Sequence, residues 1–356
     1  MAQYSILITG AAGYIGGSIL SALVSLEDQH NIFATVRTFK QADAVVYQHP
    51  GITVLQVDVT HEKEIEHIIS THEIDIVIQA ASSIDSRLSI QLISALSKRK
   101  QRNGGKNVWF IHTSGLGGFC VQNGWPVEER EDTGPIFETE KRLMETFPIR
   151  KTDVEITEYA EVMGVDSLIV VLPIIYGKGT GAWNQLSINL PIYVKSIIQS
   201  GRARKFAENT KVSASHISDL VSLYTLLVSK IIAREDIPRG KEGYYFALAH
   251  RIEGWEVAES LSGAAKARGL IADSTVEVWE SDASAAEAMG VPEMFVQVLW
   301  NSGDEMIARR PFSLGWSPKW DRKRFIDNID DEIAAVLELG EAKSSLVSSL
   351  FKFAGV

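Results

Sequence analysis

Residues Tyr4–Val24 read YSILITGAAGYIGGSILSALV. A short apolar run ends in glycine, Gly10, Gly13 and Gly16 follow at three-residue spacing, and a stretch of helical character closes the segment. Glycine lets the backbone turn tightly and approach a pyrophosphate, while the free N–H groups at a helix start attract its charge. A glycine triplet alone says little. Standing between a strand and a helix near the start of the chain, it predicts a dinucleotide-binding turn.

Outward from this turn the pattern repeats. NIFATVR, ITVLQVDV, IDIVIQAA and NVWFIHTS are β-branched runs separated by helical stretches, and SLIVVLPIIYG (Ser167–Gly177) is a further run expected to extend the same sheet. Such alternation predicts an α/β protein with a Rossmann-type, doubly wound parallel sheet. Beyond it the rhythm loosens, no repeat recurs and no Gly/Ser/Pro-rich linker cuts the chain. The expected organisation is a cofactor-binding domain over 1–180, with sheet-extending segments from about 210–250, and a smaller C-terminal substrate lobe drawn mainly from 181–356.

Composition narrows the function. The 356 residues are 45% hydrophobic, enough for one large core and a smaller lobe. There is no apolar run of about 18 residues, the length that marks a membrane helix, and MAQYSILITG carries neither a basic leader nor a cleavage site. A soluble cytoplasmic protein with no membrane partner is expected. The single cysteine, Cys120, excludes a disulfide framework and a multi-cysteine metal site. The net charge is −10 with scattered Lys and Arg, which argues against nucleic acid; KRKQR (Lys98–Arg102) reads as a solvated helix end.

The end of the second strand bears on the dinucleotide. A free ribose 2′-hydroxyl calls for an acid there and a 2′-phosphate for a cation. ATVRTFK offers Arg37 and no acid. A guanidinium grips phosphate oxygens in a fork, so NADP(H) is expected over NAD(H).

These residues resemble the extended short-chain dehydrogenase/reductase family, which holds the NAD-dependent epimerase/dehydratase-like enzymes. The resemblance runs nearly end to end and adds QVDV, QAAS (Gln79–Ser82), HTSG (His112–Gly115), LPIIYGKGTG, SHISDL (Ser215–Leu220) and RRPFSLGWSP. It implies a cofactor site of Gly10, Ala12, Gly13, Tyr14, Ile15, Gly16, Arg37, Asp58, Val59, Ala80, Ala81, Ser82, Thr113, Lys151, Pro173 and Ile175. It also implies a catalytic Ser114, and a homodimer packed through helices beside the fifth and sixth strands.

The departure from the family falls on its chemistry. Members use a Tyr-x-x-x-Lys pair in which the lysine holds the nicotinamide ribose and lowers the phenol pKa. In ETFPIRKTDV the aromatic is Phe147 and the lysine is Lys151. Phe147 lies 33 residues after Ser114 and 26 before Pro173, whereas Tyr159 leaves only 14 to Pro173. IFETEK offers a second pair, Phe137 and Lys141, equally without a phenol. Thr152 followed by Glu155 reads as a capping box that starts a helix after Lys151, with Gly164 ending it. In no register does a tyrosine stand four residues before a lysine here.

Substitutes for the lost acid are Ser114, Tyr176 beside the nicotinamide turn, and less directly His112 and His216. His61, His67 and His72 read as solvated residues of a surface helix. Leu116, Phe119, Trp183 and Asn184 are candidate substrate contacts, and Arg309 or Arg310 could meet an anion. The expected function is NADP(H)-dependent oxidoreduction of a small carbonyl or imine, since imines accept hydride without an acid. The alternatives are a redox-neutral isomerase, epimerase, lyase or cyclase, or an NmrA-like cofactor-binding redox sensor.

Overall fold

The computed structural model describes residues 4–26, 30–57, 61–344 and 346–355. Within them the strands run, in chain order, β1 (Ser5–Thr9), β2 (Asn31–Val36), β3 (Thr53–Gln56), β4 (Ile76–Gln79), β5 (Trp109–Gly115), β6 (Asp166–Leu172), β7 (Ile174–Tyr176), β8 (Ala203–Lys205), β9 (Lys211–His216), β10 (Tyr244–Phe246), β11 (His250–Glu253) and β12 (Val276–Val278).

Every residue of β1 is buried, because both faces of its sheet are covered; hence the unbroken apolar run SILIT. Its side chains alternate. Ile6 and Ile8 pack with Ile19 and Leu20 of the Tyr14–Val24 helix and with Leu223 and Leu227 of the Ile217–Ile232 helix. Leu7 faces the opposite layer, with Leu92 and Leu96 of the Ser86–Arg102 helix and Val154 and Ile156 of the Pro148–Met163 helix. Each such side chain, fully buried, contributes roughly 1.5–3 kcal/mol.

The large sheet is parallel throughout, in the order β10-β6-β5-β4-β1-β2-β3. The order reverses between β1 and β4, so loops leave their C-terminal ends in opposite directions and open a crevice there. The seventh strand arrives late in the chain: Tyr244–Phe246 pairs with Ile169–Val171.

Two sequence expectations require correction. Ser167–Gly177 is not one strand, because Pro173 has no N–H to continue the ladder. β6 ends at Leu172, and β7 joins β9 and β11 in a separate three-stranded sheet. The helix after ETF begins at Pro148, with proline in its first turn, rather than at a Thr152 cap. Proline's fixed φ and missing N–H suit that place, and Thr152 is buried one turn inside. Gly164 ends the helix in a left-handed conformation, φ 68°.

The C-terminal lobe has its own core, in which Tyr176, Leu190, Tyr193, Ile252, Leu261, Phe325 and Ile333 meet. No helix among the described residues is long and apolar enough to cross a membrane.

Candidate functional site

The glycine turn stands at the strand-order reversal. Gly10 has φ +70°, and a Cβ on it would lie 2.6 Å from the Ala80 carbonyl oxygen, so β1 and β4 approach too closely for any side chain. Gly16 is equally constrained against the Gly10 carbonyl. Gly13 caps the Tyr14–Val24 helix without a side-chain hydrogen bond, and no acid occupies the first turn. Bare backbone at a helix start, with glycines where a Cβ would fill the cradle, fits a pyrophosphate.

A cavity of about 660 Å³ begins at this turn. At one end are Arg37 and Gln41; it passes Gly10 to Ile15 and Ala80 to Ser82, reaches Thr113, Ser114, Phe147, Pro173 and Ile175, and ends among Leu186, Phe295, Val298 and Leu350. Arg37 closes β2, its backbone N–H donating to Gln41 Oε1 at 3.0 Å. Its side chain is exposed, and among the described residues no carboxylate pairs with the guanidinium. The far half is mainly apolar, with Cys120, Asn184, Ser302 and Asp304 as polar points. Burial pushes the Cys120 thiol up to about 12, so it stands as a neutral thiol, 3.4 Å from the Ser302 hydroxyl.

β5 sorts its polar side chains by alternation. Thr113 turns to one face, where its hydroxyl meets Tyr224 Oη at 2.7 Å. His112 and Ser114 share the other: Ser114 Oγ donates to Asp153 Oδ2 at 2.5 Å, and His112 Nε2 lies 3.4 Å from Asp153 Oδ1. Glu140 is buried behind them and accepts from the Tyr244 hydroxyl at 2.6 Å. Burial, and then the Asp153 charge, hold the Glu140 carboxyl well above its ordinary value. Arg150, wholly buried, donates from Nε to the Gly118 carbonyl at 2.6 Å.

Comparison with known proteins bears on the fold. A family model described as the NmrA-like family matches residues 2–99. An oxidase, ucsJ, from Acremonium sp is 22% identical over 338 residues, covering 88% of this chain and 92% of that protein. Among solved structures, the terminal R domain from the myxalamid PKS-NRPS biosynthetic pathway superposes with TM-score 0.65 at 17% identity, covering 96% of this chain and 92% of that one. The UDP-glucose 4-epimerase of Thermotoga maritima, solved with UDP-glucose, gives 0.62 at 13%, covering 95% and 100%. The Rossmann-type α/β fold is the one these solved structures share.

Against that fold, most of the cofactor residues expected from the sequence line the cavity: Gly10, Ala12, Gly13, Tyr14, Ile15, Arg37, Ala80, Ala81, Ser82, Thr113, Pro173 and Ile175. Gly16 sits behind the turn, and Asp58 and Val59 lie outside the described residues. Lys151 is a correction: it points outward, half-exposed, and its ammonium is 3.0 Å from Glu145. Phe147 precedes the helix in extended conformation, φ −153° and ψ 133°, so the rule that positions i and i+4 share a helix face does not join the two. Phe147 lines the cavity and Lys151 does not.

Tyr176 is a second correction. It is fully buried in the C-terminal core, 3.0 Å from His250 Nε2, and burial pushes its phenol far up. Of the substrate candidates, Leu116 and Asn184 line the cavity. Phe119 is buried between Trp125 and Phe246, and Trp183 lies under the Lys343 ammonium at 4.4 Å; neither reaches the cavity. Arg309 pairs with Glu131; the backbone N–H of Arg310 donates to Asp132 while its Nε and Nη1 are buried without a hydrogen-bond partner among the described residues, and neither arginine lines the cavity. Phe137 is core, and Lys141 bonds Glu158.

Sequence reading missed Asp153, Glu140, Ser302, Asp304 and the segment 343–350. Lys343, Ser344, Ser349 and Leu350 form part of the cavity wall, and the backbone N–H of Lys343 donates to Asn184 Oδ1 at 3.1 Å.

Proposed function

We propose that the chain is an NADP(H)-dependent oxidoreductase acting on an apolar carbonyl or imine. The observation that carries this reading is the single cavity joining the glycine turn to Ser114 and continuing into an apolar half. The bound dinucleotide would supply or accept hydride. Gly10, Gly13 and the first turn of the Tyr14–Val24 helix would hold its pyrophosphate, and Arg37, with no carboxylate paired to it among the described residues, favours a 2′-phosphate over a bare ribose. Ser114 borders the cavity and, by turning its hydroxyl from Asp153, would hydrogen-bond the reacting oxygen or nitrogen. Phe147 takes the wall position expected of the family's phenol, so it packs against substrate and moves no proton.

The direct test is cofactor consumption. Purified protein with NADPH and either 1-tetralone or 3,4-dihydroisoquinoline should lose absorbance of the reduced nicotinamide, with formation of the alcohol or amine. Cofactor untouched by both, although bound with micromolar affinity, would remove the reading.

A second reading draws on the NmrA-like match over residues 2–99 together with Phe147. In it the dinucleotide is held without turnover, and the cavity carries out a redox-neutral rearrangement or reports the NADP(H) redox state. Equal binding of NADP⁺ and NADPH with a conformational difference between the two complexes would favour the sensor. Isomerised product without net cofactor oxidation would favour the rearrangement.

A further inference from the structure

Ser114 touches the cavity on one side and Asp153 on the other, and its hydroxyl has a single proton. That proton is committed: Oγ donates to Asp153 Oδ2 at 2.5 Å. What Ser114 offers the cavity is therefore a lone pair. A carbonyl oxygen, itself an acceptor, is met only if the hydroxyl turns from Asp153. Asp153 is wholly buried, and its other oxygen, Oδ1, has no hydrogen-bond partner among the described residues, with His112 Nε2 3.4 Å away. Removing the Ser114 donor would leave Oδ2 bare as well. A buried carboxylate stripped in this way costs more than a hydrogen bond to a neutral oxygen is worth.

The rest of the wall agrees. Phe147 has no proton to give, and the Cys120 thiol, pushed up to about 12 by burial, holds its own. A ketone that gains hydride becomes an alkoxide and needs a proton, whereas an iminium ion that gains hydride becomes a neutral amine and needs none. Asp304 borders the apolar half, its carboxyl accepting from the Ser213 N–H at 2.6 Å and the Ser213 hydroxyl at 2.9 Å, with Arg251 at 3.4 Å. Of the cations on the wall, Arg37 stands at the opposite end, Arg87 is bonded to Asp85, and Lys343 carries its ammonium over the Trp183 ring.

We infer that Ser114, held by Asp153, faces the cavity as a hydrogen-bond acceptor, and that the site takes an iminium ion bearing an N–H in preference to a ketone. This rests on the reductase reading and narrows it. The iminium N–H donates to Ser114 Oγ. Once the iminium carbon has gained hydride, the C=N π pair rests on nitrogen, the dinucleotide is left oxidised and the product is a neutral amine, with no proton taken from the protein. Ser114 is then the catalytic residue, and Asp153 is a positioning residue acting through it.

The first arm of the test is binding. With the full chain saturated with NADP⁺, calorimetric titration should show 1,2,3,4-tetrahydroisoquinoline, whose ammonium donates, binding about ten- to a hundredfold tighter than isochroman, a ring of the same shape whose oxygen only accepts. Ser114→Ala should remove the difference by weakening the amine alone. The second arm is turnover at constant pH. With NADPH, kcat/KM for 3,4-dihydroisoquinoline should exceed that for 1-tetralone by about a hundredfold or more. Asp153→Asn sets an amide N–H against Ser114 Oγ and frees the serine proton for the cavity, so the ratio should narrow about tenfold. A merely structural role for Asp153 would lower both substrates alike.

The same affinity for amine and ether in the native protein, including none for either, overturns the proposal even if a variant fails to fold. Native reduction of 1-tetralone as fast as that of the imine overturns it while leaving the reductase reading standing, and an unchanged ratio in Asp153→Asn overturns the part given to Asp153. A Ser114-dependent preference for the amine, with no cofactor oxidised by either substrate, keeps Ser114 as an acceptor and removes the reductase reading instead.

Discussion

In the proposed reading, Arg37 is the side chain on which the choice of dinucleotide would turn. A charge-assisted hydrogen bond is worth roughly 1.5–3 kcal/mol, so Arg37→Ala should weaken NADPH by about ten- to a hundredfold and NADH little, as calorimetric titration of both would measure. Lys151 should behave oppositely to its place in the motif. It is half-exposed and bonded to Glu145, so Lys151→Ala should leave dinucleotide affinity within about twofold in the same titrations. Tyr176→Phe removes the hydrogen bond to His250, and should lower stability by about 0.5–1.5 kcal/mol in denaturant unfolding while leaving turnover unchanged. Which of these residues were legible follows from how local their signal is. Gly10, Gly13 and Arg37 act through a turn and a strand end, which a short stretch of sequence reveals. Asp153 acquires its setting from residues 112, 114, 140 and 244, and no local pattern in the chain links those positions.

Elements rather than residues misplaced the Phe147–Lys151 pair. Thr152 and Glu155 have the spacing of a capping box, yet Pro148 starts the helix one turn earlier and leaves Phe147 outside it. The Ile329–Leu339 helix has a plainer influence, through Glu332. This carboxylate accepts from the Gly177 N–H at 2.5 Å and from Asn328 at 3.0 Å, bracing the turn after β7 from the C-terminal lobe. Burial pushes its pKa from 4.5 up to about 7. A folded-state pKa above the unfolded one means that stability is fully present below pH 4.5 and is lost as pH rises through 7. The loss amounts to roughly 3 kcal/mol at most. Glu332→Gln keeps an acceptor for Gly177 and removes the titration, so its unfolding free energy should fall less than the native protein's between pH 5 and pH 8 (about the span of the shift). Parallel denaturant curves across that range would test it, and identical slopes would count against the burial cost.

The sheet as a whole was readable because parallel strands buried on both faces carry continuous apolar runs, and β1, β4 and β6 do so most plainly. The break at Pro173 was less so, since β6 and β7 form one apolar run in sequence and only their hydrogen-bond partners separate them. The interleaving of the lobes has a measurable effect. A fragment of residues 1–180 would lack β10 along β6 and the Ile217–Ile232 helix over Ile6, Ile8 and Leu20. An unpaired apolar edge recruits other chains, so this fragment should run as aggregate on size exclusion, whereas a well-behaved monomer with cooperative unfolding would refute the expectation. The same threading limits modularity in engineering. Exchanging C-terminal lobes with a relative by one crossover near residue 180 would separate β6 from the strand that completes its sheet. A workable chimera needs several crossovers that keep the Ile217–Ile232 helix and β10 with the N-terminal half, so the C-terminal lobe of this scaffold is exchanged as interleaved segments rather than as a cassette.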